Sequence, residues 1–222
     1  MSTSATLDFS RFYELYDPLA TRPLRLSVLN YSKWVTSDYA WEIFRGRVSL
    51  DLPLKLGIHS GGQLAHFLWS SFPPIVCIST YVVELLQTNG VTGWTTYPVE
   101  VYGRKGELLS GYHGFAVTGK ECRRDRSRSQ ILTRQAVPGG EPFEVYKGLY
   151  FYEEDWDGSD IFWVKSYGGI VVSEKVYKIL KQAKVTNVKL TPLPEVELQV
   201  LLDKYDHDMC GDSQMKSETN LG

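Results

Sequence analysis

Residues 69–99 read WSSFPPIVCISTYVVELLQTNGVTGWTTYPV, and this stretch decides the fold. Residues 75–78 form a short apolar run, which has the length of a buried strand. Ser79 follows and predicts an N-cap, because a serine hydroxyl accepts a hydrogen bond from a free N–H in the first helical turn. The next apolar residues have helical spacing. The predicted helix ends at Asn89-Gly90, because glycine enters the left-handed conformation without strain. Residues 94–101 have the pattern of a second strand, so the predicted unit is strand, helix, strand.

A second copy of this pattern lies 94 residues later, at residues 163–193, which read WVKSYGGIVVSEKVYKILKQAKVTNVKLTPL. Its predicted strand covers residues 170–172, and Ser173 is its predicted N-cap. Chance would produce about two identities in such a window. The seven observed identities are Trp69/Trp163, Ser79/Ser173, Val82/Val176, Leu86/Leu180, Val91/Val185, Thr92/Thr186 and Pro98/Pro192. The copies are either two related halves or two ordinary strand–helix–strand units, and the shared cap, apolar stripe and proline favour related halves.

Further strand patterns fill the rest of the chain, and no linker rich in proline, glycine or serine separates them. Apolar alternation predicts a strand over residues 48–56, and residues 97–102 and 108–117 have the pattern of a hairpin. We therefore predict one α+β domain over residues 9–202, with mostly antiparallel sheet. It consists of two related strand–helix–strand halves of about residues 9–119 and 120–202. The polar residues 203–222 predict a disordered tail.

Composition and charge exclude several classes of protein. Hydrophobic residues make up 43% of the chain and charged residues 23%, which is ordinary for a globular protein. A net charge of −2 argues against general attraction to nucleic acid or to an anionic membrane. The N-terminal residues lack the pattern of a signal peptide, and no apolar run approaches the roughly 20 residues that span a bilayer. Three widely spaced cysteines favour a reducing cytoplasm over a disulfide framework or a zinc site.

The sequence contains no convincing catalytic set. Residues 58–62 fail as a nucleophile elbow because Ile58 stands where that turn needs glycine. No two of the four histidines have the i, i+4 spacing of a metal site. Tyr112 and His113 lie between two glycines and are the candidate pocket residues. We predict no catalytic residue, no metal and no cofactor, with a hydrolase-like enzyme that uses His113 or His59 in a glycine-lined pocket as the alternative.

The acidic stretch after Tyr152 is a candidate partner-binding surface. It contains five acids and no base. Tyr152 precedes these acids and Trp156 lies among them, so we expect an exposed aromatic side chain here. Such a surface can steer and anchor a basic partner, although a solvated loop is the plainer interpretation. The acids also resemble a calcium loop, but position 12 is Ser166 where an EF-hand needs glutamate. The candidate residues are Glu153, Glu154, Asp155, Trp156, Asp157 and Asp160.

Residues 120–128 contain a cluster of positively charged side chains. Phosphate contact is one interpretation. The cluster has neither a recognition helix nor stacking aromatic residues, so a solvated or acid-paired loop is the prediction.

Two long stretches resemble a family of bacterial proteins. They are residues 74–119, with PPIVCIS, VTGWTTYPVEVY and GYHGFAVTG, and residues 146–193, with YKGLYF, WDGSDIF and SEKVYKIL. The closest likeness is the segment at 173–193, with SEKV and VTNVKLTPL. The family is similar to the immunity proteins of polymorphic toxin systems, including a group with a double Cys-x-x-Cys-Gly motif.

The resemblance implies a cytoplasmic protein that binds and neutralises a cognate toxin without catalysis. Cys122 has no second cysteine at Cys-x-x-Cys spacing, so zinc binding by the double-cysteine group does not carry over. No binding residue of the family matches a position here, and nothing specifies the oligomeric state.

Overall fold

A computed structural model describes residues 7–29, 37–71, 74–165, 167 and 169–200 of the protein. The α-helices in this part of the chain are α1 (Ser37–Phe44), α2 (Thr80–Thr88) and α3 (Glu174–Gln182). The predicted tail at 203–222 lies outside the described residues.

Strands dominate the described residues, and most of them pair antiparallel. The exceptions are two parallel pairs, β3 (Leu54–Ser60) with β7 (Val99–Tyr102) and β9 (Glu121–Cys122) with β12 (Ile161–Val164). The predicted α+β class with mostly antiparallel sheet is therefore confirmed. In chain order the strands are β1 (Phe12–Tyr16), β2 (Arg25–Val28), β3 (Leu54–Ser60), β4 (Phe67–Trp69), β5 (Val76–Ser79), β6 (Trp94–Tyr97), β7 (Val99–Tyr102), β8 (Tyr112–Val117), β9 (Glu121–Cys122), β10 (Gln130–Gln135), β11 (Pro142–Lys147), β12 (Ile161–Val164), β13 (Ile170–Ser173), β14 (Lys189–Pro192) and β15 (Glu197–Gln199).

The two predicted units form two sheets of the same design. The first sheet has the strand order β4-β5-β8-β6, and the second has β12-β13-β1-β14 with β9 added outside β12. In each sheet, a helix connects two strands that are separated by an inserted antiparallel strand. In the first sheet the inserted strand is β8, which follows the first unit in the sequence. In the second sheet it is β1, which lies far before the second unit in the sequence.

The register of pairing is the same in both sheets. Trp69 pairs with Val76 in the first sheet, and 94 positions later Trp163 pairs with Ile170 in the second. The inserted strands also correspond. Ile78 pairs with His113, and the equivalent Val172 pairs with Tyr13; likewise Thr96 pairs with Phe115, and Leu190 with Leu15. The two units therefore match in the pairing of individual residues as well as in element order.

The units contact each other reciprocally. The Asp160 N–H of the second unit donates to Thr92 Oγ1 of the first, at 3.1 Å. At the equivalent positions, the His66 N–H of the first unit donates to Thr186 Oγ1 of the second, also at 3.1 Å. Such exchange of equivalent contacts is the signature of an isologous interface, here within a single chain. The helices α2 and α3 pack together, and their buried faces join one core with both sheets.

The N-caps of the two central helices differ. Ser79 Oγ accepts from the Val82 N–H at 3.4 Å, as predicted. Ser173 has the backbone conformation of an N-cap, but its hydroxyl makes no capping bond and instead donates to Asp160 Oδ1 at 2.8 Å. The prediction of a side-chain cap at Ser173 is therefore wrong, since its hydroxyl is held by the Asp160 carboxylate and accepts from no N–H of the first helical turn.

Several predicted strands change their bounds or partners. Pro98 divides the predicted strand at 94–101 into β6 and β7, which belong to different sheets. The predicted hairpin of 97–102 with 108–117 is present only next to its turn, where Tyr102 bridges antiparallel to Leu108 and the Leu109 N–H donates to the Val101 carbonyl at 2.8 Å. β8 pairs with β5 and β6, whereas β7 pairs in parallel with β3. The strand predicted over 48–56 begins only at Leu54, immediately after Pro53.

Sheet membership does not follow the predicted division into residues 9–119 and 120–202. β1 comes from the first of these ranges but lies between β13 and β14 of the second unit. The described residues also form two smaller sheets, with the orders β2-β3-β7 and β10-β11-β15.

Candidate functional site

The acidic stretch begins with a short 3-10 turn, Glu153–Asp155, and leads into β12. Its acids meet the arginines of the basic cluster. Arg123 donates from Nε to Asp155 Oδ2 at 2.7 Å and from Nη2 to Oδ1 at 3.1 Å. Arg123 also reaches Glu154, and Arg128 Nη1 donates to Glu153 Oε1 at 3.3 Å. The prediction of an acid-paired basic loop is therefore confirmed, and much of the local negative charge is neutralised.

Arg123 and Asp155 form a fixed pair. The hydrogen bond from Arg123 lowers the pKa of the Asp155 carboxyl and raises the pKa of the guanidinium. The Arg123 guanidinium also lies 4.8 Å from the ring centroid of Tyr152, within the range of a cation–π contact. Beside this pair, the Glu154 side chain is 67% exposed and Tyr152 is 40% exposed. We call Arg123, Tyr152 and Glu154 the Arg–Tyr–Glu cluster.

Of the two aromatic residues of the acidic stretch, Tyr152 is exposed as expected, whereas Trp156 is not. It is half-buried, its ring packs edge-on against Phe12 at 5.1 Å, and its Nε1 donates to the Ser159 carbonyl at 3.0 Å. Its partner Phe12 lies far away in the sequence, so the local pattern could not reveal the burial. Trp156 packs against the buried cluster that contains Phe12, Phe151 and Phe162.

Asp157 and Asp160 stabilise the backbone around the acidic turn. Burial tends to raise both pKa values, but hydrogen bonds outweigh it and hold them below the ordinary value. Asp157 accepts from the N–H groups of Ser159 and Lys120. The Asp160 carboxylate accepts from four groups and its side chain is 14% exposed, so it is largely occupied by contacts within the protein.

The candidate pocket residues Tyr112 and His113 lie on β8. Tyr112 donates its hydroxyl to the Ala65 carbonyl at 3.0 Å. His113 Nε2 lies 3.0 Å from Thr80 Oγ1, at the start of α2. Both side chains thus connect β8 to neighbouring segments, and in the described part of the chain no carboxylate hydrogen-bonds the His113 ring. His59 lies exposed at the end of β3, on a different sheet from His113.

Two cysteines in the described part of the chain, Cys77 and Cys122, are buried and carry free thiols. Burial raises the pKa of Cys77 far above the usual range of a thiol. Burial, followed by the charges of Asp155 and Asp157, raises the pKa of Cys122 to about 12. Both thiols are protonated at neutral pH and are poor nucleophiles. Among the described residues, no group of three or more His, Cys, Asp or Glu side chains is arranged to hold a metal ion.

A cavity that sequence reasoning missed lies where the two units meet. Its volume is about 270 Å³. The equivalent residues Val76 and Ile170 both line it, so each central sheet contributes one wall. Aromatic side chains provide much of the rest. The described residues that line the cavity are Leu15, Tyr16, Asp17, Leu19, Arg25, Trp41, Phe44, Trp69, Ser70, Ser71, Pro74, Ile75, Val76, Gly169 and Ile170.

Polar groups of the lining are already paired. Arg25 Nη2 donates to Asp17 Oδ2 at 2.5 Å, and Asp17 Oδ1 accepts from the Leu19 N–H at 2.8 Å. The Trp69 Nε1 donates to the Asn187 carbonyl at 2.7 Å. Trp69 is the first residue of the stretch at 69–99. The cavity residues outside that stretch come from four separate segments of the chain, so no spacing in the sequence predicts this site.

Comparison with protein-family models and with curated protein sequences finds no match to this chain. Within the described residues, no helix has the length and apolar character needed to cross a bilayer.

Proposed function

We propose that the protein is a non-catalytic cytoplasmic binding protein of the immunity type, which neutralises a cognate bacterial toxin by forming a complex with it. The resemblance of residues 74–119 and 146–193 to such proteins motivates this proposal. The Arg–Tyr–Glu cluster is the observation that carries it.

The cluster has the properties of an interface anchor. Tyrosine and arginine are enriched among the residues that dominate binding energy. Asp155 fixes the Arg123 guanidinium with two hydrogen bonds, and Arg123 in turn lies against the Tyr152 ring. Side chains that are already ordered lose little conformational entropy on binding, which favours affinity. Glu154 adds exposed negative charge at the edge of the same cluster.

The direct experiment is calorimetric titration of the protein with the toxin encoded by the neighbouring gene. We expect a stable complex, and Tyr152→Ala should weaken it by at least about tenfold, as expected for an anchoring tyrosine. Tyr81→Ala is the matched control, because Tyr81 is 46% exposed but lies on α2. The absence of a complex, or equal losses in both variants, would overturn the proposal.

Charge reversal tests the electrostatic part separately. Glu154→Arg should slow association with a basic partner, and the effect should grow at low salt. Glu154 is preferable to Glu153 and Asp155, since among the described residues it hydrogen-bonds only to the Arg123 side chain, whereas those two also accept from backbone N–H groups. Glu84→Arg, at an exposed position of α2, is the matched control and should leave the association rate nearly unchanged.

A further inference from the structure

The cavity between the two units has walls suited to an apolar ring. Trp41, Phe44 and Trp69 contribute aromatic surface, and Ile75, Val76 and Ile170 contribute aliphatic surface. The Trp69 N–H is already bound by the Asn187 carbonyl, so its indole offers the cavity mainly carbon atoms. Flat aromatic ligands make offset or edge-on contacts with such rings, which add to the gain from burial alone.

The charges in the lining favour a neutral ligand. Arg25 and Asp17 neutralise each other, and their side chains are only 24% and 11% exposed. A charged ligand would have to break this half-buried pair and leave one partner uncompensated, which is costly. A neutral ring leaves the pair intact.

The volume sets the size of the ligand. An apolar protein cavity of about 150 Å³ holds one benzene ring. The present cavity, at about 270 Å³, has room for a second fused ring. We propose that the cavity is a binding site for a neutral bicyclic aromatic compound of the size of indole or naphthalene, held between the two sheets.

The position of the cavity adds a consequence for stability. Because Val76 and Ile170 belong to different central sheets, a bound ring contacts both units at once. A ligand that binds the folded but not the unfolded chain raises the melting temperature with its concentration.

The test titrates the full chain with indole and with naphthalene, followed by calorimetry and by thermal unfolding. We expect saturable binding of one ligand per chain and a melting temperature that rises with ligand concentration. Benzoate, which carries a charge, should bind at least about tenfold more weakly, because it competes with the Arg25–Asp17 pair. The methyl groups of Val76 and Ile170 should show nuclear Overhauser effects to the ligand ring.

A pair of variants locates the site. Ser71→Phe places a ring at an exposed position of the lining and should weaken indole binding by at least about tenfold, since it removes contact area for the ligand. Leu64→Phe, at a residue that is 59% exposed outside the lining, should change binding less than about twofold. Non-saturable binding, or equal effects of the two variants, would overturn the proposal.

The same variant separates this site from the proposed toxin interface. Ser71→Phe should leave the toxin complex unchanged if the cavity takes a free small molecule. If Ser71→Phe weakens the toxin complex while indole and naphthalene fail to bind, the cavity receives a side chain of the partner and the small-ligand proposal is wrong.

Discussion

Asp160 is one side chain that joins residues of both units. Its Oδ2 accepts from the Thr92 N–H of the first unit and from Lys175 Nζ, while its Oδ1 accepts from the Ser173 hydroxyl. At the equivalent position of the first unit, His66 Nδ1 accepts from the Thr186 N–H at 3.0 Å. One of the two reciprocal contacts is thus made by a carboxylate and the other by an imidazole.

Asp160→Asn should lower the free energy of unfolding at pH 7 by about 1–3 kcal/mol, because it weakens charge-assisted hydrogen bonds. The pKa of Asp160 is below its ordinary value of 3.8 in the folded protein, since hydrogen bonds outweigh the effect of burial. The stabilisation is therefore present above about pH 4 and is lost as the pH falls through the folded-state pKa. Urea unfolding at pH 7 and pH 3 should show the variant approaching the parent protein at the lower pH. Asp51→Asn, at an exposed bend, is the control, and an Asp160→Asn deficit that is equally large at pH 3 would contradict the prediction.

At the scale of the element, the turn after α2 shows why two neighbouring glycines have different roles. Gly90 has φ of +56° and Gly93 has φ of +83°. A Cβ atom at Gly90 would meet nothing within 4 Å, whereas one at Gly93 would lie 2.0 Å from the Ile161 carbonyl oxygen of the second unit. The equivalent residues after α3 are Lys184 and Asn187, which also have positive φ. There, Asn187 Nδ2 donates to the Phe67 carbonyl at 2.8 Å, so the turn approaches the opposite unit through a side chain.

Gly93→Ala should destabilise the protein by at least about 3 kcal/mol, because the new methyl group forces the two units apart at a backbone contact. Gly90→Ala should cost only about 1–2 kcal/mol, which is the penalty for a left-handed alanine. Thermal and urea unfolding of both variants measure the difference. Similar losses in the two would show that conformation, rather than the approach of the second unit, determines the cost.

Local signals predicted local structure well. The Ser79 cap and the end of α2 at Gly90 depend on residues that lie close together in the sequence. The sheet partners of β8 and β1 depend on pairing across the chain, and no periodicity encodes it. Likewise, the acid–aromatic loop was recognisable, but the burial of Trp156 depends on Phe12 and the position of Arg123 depends on Asp155 in another segment.

At the scale of the whole molecule, the placement of β1 ties the second sheet to the beginning of the described chain. β1 is a central strand with partners on both sides, while β10 is an edge strand with β11 on one side only. Exposure follows the same division, since Phe12 and Leu15 are buried but Ile131 on β10 is 57% exposed. The free energy needed to open β1 should therefore be as large as that needed to open the core.

Amide hydrogen exchange should reveal this difference. Amides of β1 that bond to β13 and β14 should exchange at least about 100-fold more slowly than amides of β10, because opening β1 requires disruption of the sheet and the core. Mass spectrometry of peptides covering residues 12–16 and 130–135 measures both rates. Exchange of β1 at the rate of β10 would show that the strand opens locally.

The same strand has a consequence for how the chain is made. Leu15 pairs with Ile170, so β1 leaves the ribosome long before the sheet that will receive it. At about 5–20 residues per second, synthesis of the intervening segment takes roughly 8–30 s, during which both sides of β1 lack their native partners. The first unit already has β8 within reach and can assemble during this interval, whereas the second can close only when the chain is nearly finished. Stalled or shortened chains would therefore present a bare apolar strand to other nascent copies, and cells that make this protein quickly would need chaperones for it.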